Sequence, residues 1–298
     1  MYDNTDPRAR LAAATAKPTN GPFDAASLGH YDREPPQQVE PLARTWLTRG
    51  QNFLVACSET QPGAVLARTA QPDEYMALLP DAATVVEVTT PAGTERIAGH
   101  SLVVLPPGDS SLRMVKGGML WRILTTASAD LAASCGNAAA YATPHRHVAP
   151  AVSWPAPPGG FKVRAYSLDV PASPDRFGRI FRCTTLMVNC LYGWPGKRDP
   201  RKMSPHHHDD FEQGSLALEG AFTHHLRWPW TTDMTKWRAD EHHECGSPSV
   251  CVIPPPAIHT TQAVGAGMNT LVDVFCPPRA DFSATSGWVL NAGDYPAP

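Results

Sequence analysis

The chain has no long apolar run, no block of like charge and no closely paired cysteines, and each absence removes a class of function. No stretch approaches the roughly 18 apolar residues that a membrane-crossing helix requires. Its 25 Lys and Arg stand against 28 Asp and Glu, for a net charge of −3, with no basic cluster among them. A nucleic-acid or anionic-lipid partner would need such a cluster, so neither nucleic acid nor membrane is expected. Met1 to Arg8 lack the charged-then-apolar pattern of a secretory signal, which predicts a cytoplasmic protein. The seven cysteines are odd in number and contain no C-x-x-C pair. They predict neither a zinc ribbon nor a disulfide framework, but small buried apolar residues. Helical periodicity is scarce too, confined to one short helix within Ala127–Ala140.

Proline and histidine are what the chain has in excess, with 31 and 12 residues. Proline at that share resists long helices and suits many short strands joined by turns. The strand-length runs are there: Phe53–Cys57, Ala64–Arg68, Glu74–Leu79, Thr84–Val88, Leu102–Leu105 and Leu120–Leu124, each bounded by turn residues. After the proline-rich stretch 143–160 they resume at Lys162–Tyr166, Cys183–Leu191, Gln213–Leu218, Thr223–Trp228, Val250–Ile253 and Thr270–Phe275. The 298 residues, 42% of them hydrophobic, can build one large or two ordinary domains. The pattern predicts an all-β chain of antiparallel sandwiches or barrels. Its expected divisions are an extended arm over 1–44, a first β domain over 45–142, a connector over 143–160 and a second β domain over 161–298. Apolar strands on both barrel faces and a long polar arm predict a homodimer.

Eight of the twelve histidines lie between positions 206 and 259: His206, His207, His208, His224, His225, His242, His243 and His259. Imidazole is the commonest metal ligand, so the clustering points to an ion. On a strand His206 and His208 project to one face and His207 to the other. A third imidazole, His259, follows the turn segment Pro254-Pro-Pro-Ala-Ile. Alternation from His208 also favours Glu212 as an oxygen ligand, unless turn chemistry at Asp209-Asp210 breaks the strand and brings in Gln213 instead. His224 or His225 should face the interior and line a pocket; His242-His243 reads as an exposed loop. His145-x-His147, among prolines, reads as non-functional, and Trp228-Pro-Trp230 as packing.

These residues resemble the cupin family, whose motifs read G-x5-H-x-H-x3–4-E-x6-G and G-x5-P-x-G-x2-H-x3-N. His206-x-His208-x4-Gln213-x6-Gly220 matches the first, with Gln where Glu is usual. Pro254-x-Pro256-x2-His259 matches the second, with Pro for Gly and Ala263 for Asn. The nearest preceding glycine, Gly196, is too far upstream of His206, which implies an extra loop; Gly246 precedes Pro254 by two residues more than the pattern. The first half keeps the frames without the ligands: Pro106-x-Gly108-x2-Ser111, and Glu74-x6-Asp81 with no H-x-H before it. The resemblance, over residues 45–125 and 160–280, implies a bicupin of two jelly-roll barrels, the first degenerate and without metal. It implies His206, His208, His259 and Gln213 as metal ligands, with Glu212 the alternative ligand or a general base. Fe(II) is the metal it favours, with Mn, Ni, Cu or Zn possible on the same donors. The implied activity is an Fe(II) dioxygenase, an oxidoreductase that uses O2 to cleave a small aromatic or diketone-like substrate. Its rivals are a redox-neutral isomerase, lyase or decarboxylase, and a non-catalytic binding protein.

Overall fold

The computed structural model describes residues 21–298. Its first eleven strands are β1 (Ser27–Gly29), β2 (Gln38–Glu40), β3 (Ala43–Arg49), β4 (Phe53–Thr60), β5 (Val65–Gln71), β6 (Tyr75–Leu79), β7 (Val85–Thr90), β8 (Gly93–Ala98), β9 (Ser101–Leu105), β10 (Gly108–Lys116) and β11 (Gly118–Thr125). The alanine-rich stretch after them forms α1 (Ala129–Ser134) and one 3-10 turn, Ala138–Tyr141. Residues 143–160 contain no strand. Beyond them lie β12 (Arg164–Ser167), β13 (Gly178–Arg182), β14 (Met187–Leu191), β15 (Trp194–Pro195), β16 (Gln213–Glu219), β17 (Phe222–Arg227), β18 (Glu241–Cys245), β19 (Ser249–Ile253), β20 (Ile258–Ala263), β21 (Met268–Phe275) and α2 (Ala280–Ala284).

Two burial patterns explain which strands go where. β6, β9 and β14 are buried at every position, as strands covered on both faces must be. β10 and β17 bury alternate residues, so one face meets a barrel interior and the other meets solvent. Strands of the first kind lie within two large sheets, in the orders β12-β9-β6-β11-β4-β3-β2 and β1-β19-β16-β21-β14-β13, with β15 also on β21. The second kind builds their lids, β5-β10-β7-β8 and β18-β17-β20. Each large sheet with its lid is a jelly-roll barrel, and the strand orders correspond one for one: β9, β6, β11, β4 and β3 match β19, β16, β21, β14 and β13.

The barrels exchange edge strands. β1 precedes the first barrel yet pairs with β19 of the second, Leu28 opposite Cys251. β12 follows the connector yet pairs with β9 of the first, Tyr166 opposite Leu102. The expected arm over 1–44 therefore holds β1, β2 and the start of β3; its first twenty positions lie outside the described residues.

Outer faces of the two large sheets pack on each other. Trp46, Val55, Met76, Leu102 and Trp121 from the first barrel meet Phe181, Val188, Leu216, Val250 and Val274 from the second in one buried cluster. The apolar faces that suggested a homodimer thus cover each other within the chain. Two buried carboxylates cross this interface in opposite directions. Glu74, just before β6, accepts hydrogen bonds from Thr184 N (3.0 Å), Thr184 Oγ1 (2.8 Å) and Tyr295 Oη (2.8 Å). Glu212, just before β16, accepts from Gln51 N (2.6 Å) and Tyr141 Oη (3.0 Å) and lies 3.2 Å from His145 Nδ1.

The barrel interiors differ. In the first, Leu54, Ala56, Tyr75, Ala77, Val86, Val88, Leu112, Met114 and Leu120 belong to one continuous apolar cluster. In the second, three smaller clusters surround buried polar side chains. All seven cysteines are buried and unpaired. Among the described residues no helix is long and apolar enough to cross a membrane.

Candidate metal centre

The polar interior of the second barrel starts with a backbone bridge. His206 N donates to His259 O (3.0 Å) and His259 N to His206 O (2.7 Å), which ties the segment before β16 to β20 in the opposite layer. His208 lies near both, its ring centroid 5.2 Å from each, while those of His206 and His259 are 4.3 Å apart. The candidate ligand nitrogens all lie within 4.8 Å of one another, and among the described residues no other group of three such side chains does.

Hydrogen bonds select the nitrogen that His206 and His259 offer. The Nδ1 atoms of His206 and His259 each lie 2.9 Å from a backbone carbonyl, of Ser204 and Ala257. A carbonyl only accepts, so Nδ1 carries the proton and Nε2 presents its lone pair. His208 Nε2 lies 3.0 Å, and His259 Nε2 3.4 Å, from Gln213 Oε1. That amide is oriented from behind: Gln213 Nε2 donates to Asp273 Oδ1 and Ser215 Oγ, both at 3.0 Å, and Ser215 Oγ donates to the same Asp273 oxygen at 3.0 Å. With its NH2 group held there, Gln213 turns its oxygen toward the histidines.

Burial, reinforced by the Arg279 cation, pushes His208 well below the usual imidazole range. Burial pushes His259 down to about 4. Both rings are therefore neutral at neutral pH. Phe211 stacks on the His208 ring at 4.5 Å, and Phe275 meets it edge-on at 5.8 Å. The Arg279 guanidinium lies against Phe282, Phe275 and Phe211 at 3.7, 5.1 and 5.5 Å and pairs with Asp281. Three neutral imidazole nitrogens and one amide oxygen suit a first-row divalent ion, whose full charge such ligands leave in place.

Of the residues expected at the site, His206, His208, His259 and Gln213 come together and Glu212 does not. No strand runs from His206 to Glu212, and with a bend at Asp209 and Asp210 it is Gln213 rather than Glu212 that lies beside His208. The Glu212 carboxylate is spent on the first barrel, and neither a ligand role nor a general-base role at the triad fits its position. His207 points away, 3.4 Å from Asp209. His224 faces the interior, its Nδ1 2.9 Å from Thr261 Oγ1. His242 and His243, expected in a loop, lie on β18, paired with β17. His145, expected to be idle, is buried against Glu212 and stacks on Tyr141 at 4.3 Å. The loop implied before His206 is pinned by Arg198, which donates to Thr261 O (2.9 Å) and Ser204 Oγ (3.1 Å).

Asp273, Ser215 and Asn189 went unnoticed in the sequence. Asp273 did carry a signal, a carboxylate in the middle of the apolar run Leu271-Val-Asp-Val-Phe275, where a buried charge demands partners. Asn189 stands opposite Asp273 on β14, and both its Oδ1 and Nδ2 are buried without a protein partner, as is His224 Nε2. In the first barrel Tyr75 occupies Gln213's place on β6, and its hydroxyl hydrogen-bonds Ser110 Oγ at 2.9 Å. Ser110, not the Ser111 expected from the spacing, is the buried serine there, because β10 is irregular between Gly108 and Ser110.

No family model and no curated protein matches this sequence. Solved structures do match. AerE from Microcystis aeruginosa aligns at TM-score 0.55 with 9% identity, covering 81% of this chain and 95% of its own. A Lactobacillus farciminis oxalate decarboxylase aligns at 0.56 with 13% identity, covering 88% of each chain. A variant of the Bacillus subtilis oxalate decarboxylase aligns at 0.52 with 12% identity, over 88% of this chain and 79% of that one. With two corresponding jelly-roll barrels in one chain, the chain has a bicupin fold.

Proposed function

We propose that this bicupin is a metal-dependent enzyme acting on a small anionic, oxygenated substrate, and that it is an Fe(II) dioxygenase. The observation that carries the reading is the donor set, three imidazoles and an amide, with no carboxylate among the ligands. The bound ion would supply Lewis acidity and open positions for substrate and O2.

The chain's own residues do the rest. The uncharged donors leave the ion's own charge in place, which favours an anionic substrate, while Arg279, paired with Asp281, packs on Phe211 and Phe275. Phe211 and Phe275 keep water from the buried side of His208. Asp273 and Ser215 hold Gln213 in its orientation. The unpartnered amide of Asn189 and Nε2 of His224 give the interior hydrogen-bonding capacity for a polar molecule, since an unsatisfied buried group costs about 1–3 kcal/mol.

One observation favours a redox-neutral decarboxylase, lyase or isomerase instead: Asp273 is an interior carboxylate, able to take and return a proton without O2. Anaerobic Fe(II) loading followed by oxygen-electrode assay over catechols, hydroxybenzoates, β-diketones and dicarboxylates separates the two. Oxygen uptake matched to turnover supports the dioxygenase. Equal turnover without O2 transfers the reading to the redo-neutral class, and ligand binding with no turnover makes the protein a binding module.

A further inference from the structure

The histidines of β17 and β18 that the triad does not use are sorted by strand alternation. His225 stands opposite His242 and His224 opposite His243, while β20 covers the other edge of β17 with Thr260 opposite His225. Phe222, His224 and Leu226 are buried toward the barrel interior, so His225 projects to the outer face. There it meets His242. Their Nδ1 atoms lie 2.7 Å apart, with ring centroids 4.9 Å apart and planes inclined at 69°. His225 is further held by Gln262, whose Oε1 lies 3.4 Å from His225 Nε2.

Two imidazole nitrogens this close are joined by one hydrogen, carried on one Nδ1 and accepted by the other's lone pair. We propose that His225 and His242 form a second, solvent-facing metal site, separate from the triad, for a first-row divalent transition ion such as Ni2+, Cu2+ or Zn2+. Imidazole suits these ions, whereas Mg2+ and Ca2+ require oxygen ligands that this pair lacks. Adjacent ligands of an ion bound at about 2.0–2.1 Å stand roughly 3 Å apart, so the rings need to part by only a few tenths of an ångström. Both rings are already ordered on paired strands, and little side-chain freedom remains to be lost on binding. His242 is exposed, which leaves the path from solvent open, and Glu244, two residues along β18, adds negative charge to the same face. With two protein ligands and water for the remainder, this is the weaker of the chain's two sites.

The test is calorimetric titration of the full chain with Ni2+ alone, with circular dichroism on each variant. Wild type shows a tight and a weak class of site. His225→Gln and His242→Gln each weaken the weak class at least about tenfold and leave the tight class unchanged. His208→Ala does the reverse. Outward-facing glutamines leave the fold intact, so a lost isotherm reports lost ligands. Absence of the weak class in wild type, or a weak class that survives in His242→Gln, overturns the proposal. Loss of the tight class alone in wild type would count against the triad and leave this site standing.

Discussion

Gln213 presents an oxygen beside His208 and His259 only because Asp273 and Ser215 hold its NH2 group. Gln213→Ala should weaken metal binding by about 10–100-fold, the usual cost of losing an orienting or ligating group. Asp273→Asn, which can offer the amide a donor where it needs an acceptor, should weaken it about tenfold while circular dichroism stays unchanged. Equal affinity in both variants would show that Gln213 is not part of the site. Glu212→Ala should leave metal affinity nearly unchanged and lower unfolding free energy by about 3 kcal/mol, because Gln51 N and Tyr141 Oη lose a buried acceptor. The sequence showed the three histidines plainly and left Glu212 and Gln213 open. Alternation and family spacing point to different residues, and the bend at Asp209-Asp210, with Glu212 bonded to Gln51 and Tyr141, is a tertiary feature.

Buried imidazoles also set a pH dependence. Burial pushes His224 down to about 3 and His259 to about 4, against about 6.5 in an unfolded chain. Below about pH 6.5 the unfolded state therefore holds more protons, and metal-free protein loses stability as pH falls toward about 4. Each histidine contributes up to about 1.4 kcal/mol per pH unit across that window. Urea unfolding at several pH values measures the slope. His224→Gln should reduce it by one histidine's share; an unchanged slope would mean that His224 takes up its proton while folded.

At the scale of elements, strand positions were legible because period-2 burial and proline-bounded apolar runs are local properties. The exchange of β1 and β12 was not. Pairing partners are set by which sheet edge remains uncovered after folding, and the short runs Ser27–Gly29 and Arg164–Ser167 carry no mark of the distant strand they meet. The same holds for Glu74 and Glu212, which read as motif and candidate-ligand positions and prove to be reciprocal ties between barrels. Starting the chain at residue 31 should uncover the edge of β19, since β1 is its outer neighbour. A lowered melting temperature and concentration-dependent aggregation are the expected outcome. Unaltered melting would show that β1 contributes nothing to the second barrel's stability.

Over the whole molecule, the difference between barrels follows from what fills them. The first closes around a continuous apolar cluster with Tyr75 and Ser110 bonded at the place where the second carries Gln213 and His259. The second leaves its middle to Asn189, Asp273, Ser215 and His224, and no sequence window joins those residues, because each comes from a different strand. The central claim is that His206, His208, His259 and Gln213 hold one ion inside the second barrel. An anomalous-difference map at the iron edge, from crystals loaded anaerobically with Fe(II), tests it most directly. The expected result is a peak at about 2.0–2.2 Å from the three Nε2 atoms and Gln213 Oε1; iron bound elsewhere, with no peak among those four side chains, would contradict it.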